Sequence, residues 1–207
     1  MMRRCFYYPD GSKINGEKDF IDFYSKAYYL FVTNEQEEVI DCLLNKQEAY
    51  NDADILKFMN WKFGGKSLTW EKIKLKKLSY RRTEIGEEFL EKVKAVQNKY
   101  SINDGNLDEV YNLLVDVGPV YAIAVIYLLT KGTYPIFDRR VRCAMGAICS
   151  KDDIVLGQKV HIRTLTKENA LSEYKAYIEF YKEFEETKDD KRIVDRALWT
   201  YGHLFQD

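Results

Sequence analysis

The feature that most narrows the folds open to this chain is a sharp turn between two helical stretches. Leu107 to Asp116 has helical spacing, Val117-Gly118-Pro119 breaks it, and Val120 to Leu129 is the longest continuous apolar run in the sequence. Gly118 can take the positive φ that a tight hairpin demands, and Pro119 suits the first helical turn because its missing N–H would be unpaired there anyway. The exposed N–H groups at such a helix start form a natural seat for a phosphate. A hairpin that binds nothing has the same local pattern. The second helix stops at Lys131-Gly132, and the chain then turns through Thr133-Tyr134-Pro135-Ile136-Phe137 to Asp138. Asp138 stands where it can cap a third helix starting at Arg139.

The rest of the chain reads as helix as well. With 3 prolines and 11 glycines against 31% charged residues, there are few breakers and many helix formers. Phe20, Phe23, Tyr24, Ala27, Tyr28 and Phe31 recur at three- and four-residue steps, which predicts an amphipathic helix over Glu17 to Phe31. Thr33 with Gln36 has capping-box spacing and should start a helix running to about Asn45. Further helices are expected over Asp52 to Trp61, Glu84 to Asn98, Leu107 to Asp116, Pro119 to Thr130, Arg139 to Cys149, Lys167 to Phe184 and Asp190 to Leu204. Asn106 is the expected cap of the Leu107 helix. The fold class is therefore all-α.

The formal net charge of -1 gives no global attraction to a polyanion, so any such binding must come from a local patch. Cys5, Cys42, Cys143 and Cys149 form no C-x-x-C pair, and His161 and His203 are the only histidines, so neither zinc nor an iron–sulfur cluster is expected. The start MMRRCFYYPDG lacks a following apolar run, and Val120 to Leu129 is too short to span a bilayer, so a cytoplasmic protein without membrane contact is expected.

Three groups of side chains are candidates for ligand contact. Lys72, Lys74, Lys76, Lys77, Arg81 and Arg82 form a basic run, interleaved with Ile73, Leu75 and Leu78, that could track a phosphate backbone; a merely solvated face is the equal alternative. Arg139, Arg140 and Arg142 follow Asp138 directly and at helical spacing cannot all face one way. They can hold phosphates or make solvent-facing ion pairs. Trp61, Phe63 and Trp70 around a Gly pair, Tyr134 and Phe137 before Asp138, and Trp199 and Tyr201 near the C-terminus could stack on a flat base, although core packing is the commoner role for each.

From Leu107 to Cys149 the chain resembles the helix-hairpin-helix (HhH-GPD) DNA glycosylase superfamily, of the endonuclease III kind. Leu114, Gly118 and Ala122 occupy the positions of that family's hairpin motif L-x-G-x-G-x-x-T/S-A, and Pro135, Asp138 and Val141 match its loop pattern P-x-x-D-x-x-V. The stretch VDRALWTYGHLF, Val194 to Phe205, is similar to the terminal helix of relatives of these enzymes. The resemblance implies a two-lobed helical fold, with residues 1–98 and 186–207 in one lobe, 99–185 in the hairpin lobe and a base pocket between them. It also implies Asp138 as catalytic carboxylate, backbone contact to DNA around Gly118, Val120 and Tyr121, no cofactor, and a monomer acting on double-stranded DNA with one extruded nucleotide.

Two departures sharpen what is implied. Asp116 replaces the first hairpin glycine and brings a negative charge to the expected phosphate seat. Val120 stands where bifunctional members carry the lysine that forms a Schiff base with the sugar. The implied activity is thus that of a monofunctional glycosylase. Asp138 would stabilise the oxocarbenium-like transition state and orient or deprotonate water. A non-catalytic DNA-binding module of the same fold is the alternative, and a helical protein-interaction scaffold a third reading.

Overall fold

The computed structural model describes residues 4–62, 84–150, 160, 162–184 and 190–205. Among them are nine α-helices and no strand: α1 Glu17–Ala27, α2 Asn34–Leu44, α3 Asp52–Lys62, α4 Glu84–Lys99, α5 Leu107–Leu114, α6 Pro119–Leu129, α7 Arg139–Ile148, α8 Lys167–Lys182 and α9 Lys191–Gly202. The chain is all-α, and no helix of the described residues is long and apolar enough to cross a membrane. It divides into two compact units, Met1–Val32 with Pro135–Asp207, and Thr33–Tyr134.

These boundaries differ from the expected division at 98/99 and 185/186. The reason lies in α1 and α7 to α9. Helix α9 packs on both α1 and α7, which draws everything from Pro135 onward into the unit of the N-terminal segment. The hairpin falls in the other unit.

In the unit of both termini, α1 buries Phe20, Ile21 and Tyr24. Against them α9 sets Val194, Ala197, Leu198 and Tyr201, all buried. The Tyr201 ring meets Phe20 and Tyr24 edge-on at 5.2 and 5.0 Å. Helix α8 starts with a complete capping box between Thr166 and Asn169 and buries Tyr174, Tyr177, Phe180 and Tyr181. The helix predicted over Glu17 to Phe31 ends sooner, at Ala27, because the chain tightens into a 3-10 turn over Tyr28–Leu30.

In the unit 33–134, the capping box of Thr33 and Gln36 forms as expected and starts α2. Helix α6 is its centre. Ala122 through Leu128 are all buried, so this helix is apolar on every side and surrounded by protein. Phe58 of α3 stacks on Tyr127 of α6 at 6.1 Å.

The abundance of tyrosine has a local explanation. A buried phenol needs a hydrogen-bond acceptor, and several find a backbone carbonyl: Tyr24 Oη donates to Tyr7 O at 2.6 Å, Tyr50 Oη to Leu43 O at 2.9 Å, and Tyr174 Oη to Pro135 O at 3.0 Å. Each ring fills the core while its hydroxyl ties a loop or helix end to it.

Candidate functional site

Asp138 follows an extended turn and caps α7. At φ -136° and ψ -175° its Oδ1 accepts the N–H groups of Arg140 at 2.8 Å and Val141 at 3.3 Å. These bonds fix the carboxylate at the positive end of the helix, half-buried. The turn before it is anchored on α8: Tyr174 bonds the Pro135 carbonyl, and Phe137 is buried against Tyr177 at 5.0 Å and Tyr174 at 5.7 Å.

The three arginines after Asp138 have different roles. Arg142, expected at a phosphate, is turned into the core, 9% exposed. Its guanidinium donates to the Arg163 carbonyl, pairs with Glu173 Oε2 at 2.7 Å and lies over the Phe137 ring at 5.7 Å. Its acceptors explain this: the Arg163 carbonyl and the Glu173 carboxylate of α8 satisfy the guanidinium on the inner side of α7. Arg139 is exposed and Arg140 half-buried, so the outward-facing cations beside Asp138 are these two.

Most of the aromatic candidates on the described residues are core. Tyr134 is 5% exposed and donates to Asp104 Oδ1 at 2.5 Å; burial, then that bond, pushes its phenol up. Phe137 and Tyr201 are buried too, and burial likewise raises the Tyr201 phenol. Their apolar neighbours outcompete any outward orientation. Trp61 and Trp199 are half-buried, Trp61 against Phe58 at 5.6 Å. Phe63, Trp70, Lys74, Lys76, Lys77, Arg81 and Arg82 lie outside the described residues.

The hairpin takes the expected local form. After α5 a 3-10 turn over Val115–Val117 leads to Gly118 at φ 122°, and Pro119 opens α6. The Gly118 carbonyl accepts from Tyr121 N and Ala122 N, both at 3.1 Å. Val120 and Tyr121 are half-buried on the first turn of α6. Asp116 pairs with Lys92 of α4 at 3.1 Å, and Lys92 also reaches Glu88 at 2.9 Å. These bonds, Glu88 first, hold the lysine charged. The extra negative charge at the hairpin thus has a cation beside it. Lys131, with φ 51°, donates to the Lys46 carbonyl, so its ammonium is held at the far end of α6.

A residue that sequence reasoning missed is His203, just past α9. Its Nδ1 lies 3.0 Å from the Trp199 carbonyl, which can only accept, so Nδ1 carries the proton. The ring packs on Trp199 at 4.0 Å and stacks on Phe31 at 5.0 Å. Burial holds its pKa below the ordinary value; the Trp199 bond opposes this, Arg140 lowers it further and Asp138 raises it. Gly202 is the available signal: a Cβ there would sit 1.9 Å from the Arg140 carbonyl oxygen, so the glycine marks where α9 meets the start of α7. Among the described residues no three His, Cys, Asp or Glu side chains are grouped to hold a metal.

No family model, no curated protein and no solved structure matches this chain.

Proposed function

We propose that the chain is a monofunctional DNA glycosylase of the helix-hairpin-helix kind, with the two-lobed fold of that family. It would extrude one nucleotide from double-stranded DNA and hydrolyse its N-glycosidic bond. The observation that carries this reading is the Asp138 turn: a carboxylate fixed through Oδ1 at the start of α7, with Arg139 and Arg140 directly after it. The hairpin at Gly118 and Pro119 supports it, with its positive φ and proline-led helix.

In the reaction the bond from C1′ to the base nitrogen breaks, and its electron pair leaves with the base. Positive charge develops on the sugar, and the Asp138 carboxylate stabilises it. Water adds its oxygen to C1′. One proton of that water passes to Asp138 and the departing base acquires a proton, leaving a free base and an abasic site. With valine at position 120 no Schiff base forms there, so borohydride should trap no covalent adduct. The protein acts as a cytoplasmic monomer without a cofactor on this reading.

Burial of Tyr134, Phe137 and Tyr201 favours a second reading, a DNA-binding module of the same fold that lacks catalysis, because three candidates for the base pocket are committed to the core. One experiment separates the two. Wild type and Asp138→Asn are incubated with DNA from several sources, including modified phage DNA, and released free bases are identified by mass spectrometry. Release by wild type and not by Asp138→Asn, with DNA binding kept by both, supports the enzyme; binding with no release from any source supports the module.

A further inference from the structure

Among the described residues, exposed large apolar side chains are few, and three of them are consecutive: Tyr29 at 45%, Leu30 at 84% and Phe31 at 52%. They sit on the 3-10 turn that ends α1 and just beyond it, where the Phe31 N–H returns to the Tyr28 carbonyl at 3.0 Å. Chance exposure on a loose loop would leave such rings without support. Here Phe31 is the outermost ring of a ladder. Its inner face stacks on His203 at an interplanar angle of 27°, His203 packs on Trp199, and Trp199 meets Tyr28 edge-on at 5.4 Å. The Trp199 carbonyl orients the imidazole behind the exposed Phe31 ring.

Guanidinium groups flank these rings. Arg196 lies 5.7 Å over Tyr29 and 6.0 Å over Tyr28. Arg192 lies 5.5 Å over Tyr28 and donates to its hydroxyl at 3.1 Å. The two arginines bring guanidinium groups, able to meet phosphate oxygens, beside the exposed turn. A partner with flat faces and regularly spaced negative charge suits both parts of the surface, since bases stack on aromatic rings and phosphates pair with arginine.

We propose that Phe31, backed by His203 and Trp199 and with Leu30 beside it, is a stacking platform for an unpaired nucleobase of single-stranded DNA, whose neighbouring phosphates meet Arg192 and Arg196. This rests on the reading that the partner is DNA, and not on base release. The platform prefers unpaired bases because a stacked duplex offers no free π-face.

The test uses the full chain with a fluorescein-labelled oligo-dT strand, read by anisotropy at low salt. Wild type should bind, Phe31→Tyr should bind comparably, and Phe31→Ala and Phe31→Leu should each bind about tenfold more weakly, the loss expected for one base–aromatic stack. Arg196→Gln should flatten the salt dependence. Helical melting curves of the variants check that the fold is kept; Phe31 is half-exposed, and Phe31→Leu preserves its apolar bulk. Equal binding by Phe31→Leu and wild type would overturn the platform, as would no binding of oligo-dT by wild type. Dimerisation of wild type that Phe31→Ala abolishes would assign the surface to a second copy and also overturn it. Base release is scored separately. Oligo-dT binding that depends on the ring, without base release from any DNA, keeps this proposal while the glycosylase reading falls; release that all Phe31 variants share, with unchanged oligo-dT binding, does the reverse.

Discussion

The backbone of Gly202 lies so close to that of Arg140 that a Cβ on the glycine would stand 1.9 Å from the arginine carbonyl oxygen. No rotamer change relieves such a contact, because the backbone fixes the position of a Cβ and its partner is main chain. The crossing sets the C-terminal end of α9, and with it His203, beside the first turn of α7.

Gly202→Ala should therefore destabilise the protein although alanine is the better helix former. Propensity favours alanine by about 1 kcal/mol in a helix interior. Against this, the crossing must open, and overpacking of this kind costs about 1–3 kcal/mol or more. Chemical denaturation should show a lower midpoint for Gly202→Ala than for wild type. An unchanged or raised midpoint would mean that the two helices separate without penalty.

Asp138 combines a cap with a candidate catalytic carboxylate, and substitution can part the two. Asparagine caps about as well as aspartate, whereas alanine forfeits about 1 kcal/mol of cap stability. Asp138→Asn should melt close to wild type and Asp138→Ala clearly below it, while both abolish base release. Base release by Asp138→Asn at the wild-type rate would restrict the residue to capping.

Arg142 should matter for stability and not for DNA. It is buried and tied to Glu173 and the Arg163 carbonyl, so Arg142→Met leaves a carboxylate and a carbonyl without their donor. A loss of about 3 kcal/mol is expected, the low end for breaking a buried pair because Glu173 keeps some solvent. Under conditions where the variant is folded, its DNA affinity should keep the wild-type salt slope. Arg140→Gln should instead reduce that slope by about 0.9, the value for one lost phosphate contact. Parallel salt titrations of the two variants decide this.

The helices were legible because their determinants are local. Thr33 and Gln36 announce a capping box by spacing alone, and Gly118-Pro119 announces a hairpin by backbone chemistry. Asn106 shows the limit of such signals. It makes no side-chain cap to α5; its Oδ1 accepts the Asn103 N–H and its amide donates to Ser101 O, so the turn satisfies itself. The direction of side chains was less legible. Arg142, Tyr134, Phe137 and Tyr201 carry polar or aromatic groups that suit a site, but tertiary packing turns them inward. The contact between Phe31 and His203 joins opposite ends of the chain, and no periodicity in either segment encodes it.

His203 should make stability depend on pH below neutrality. Its ordinary value is 6.5, and in the folded protein it is lower, chiefly through burial. Between the lowered value and 6.5 the unfolded chain binds more proton than the folded one, so stability rises with pH across that window. The contribution of the neutral ring is complete above pH 6.5 and is lost as pH falls through the lowered value. Arg140 and Asp138 act on the ring in opposite senses, so Asp138→Asn should widen the window by removing the charge that favours protonation. Melting temperatures of wild type, His203→Gln and Asp138→Asn, taken across pH 5 to 8, test this. His203→Gln should lose part of the acid-side decline, and Asp138→Asn should extend that decline to lower pH. A decline of the same size in His203→Gln would place the proton uptake on other groups.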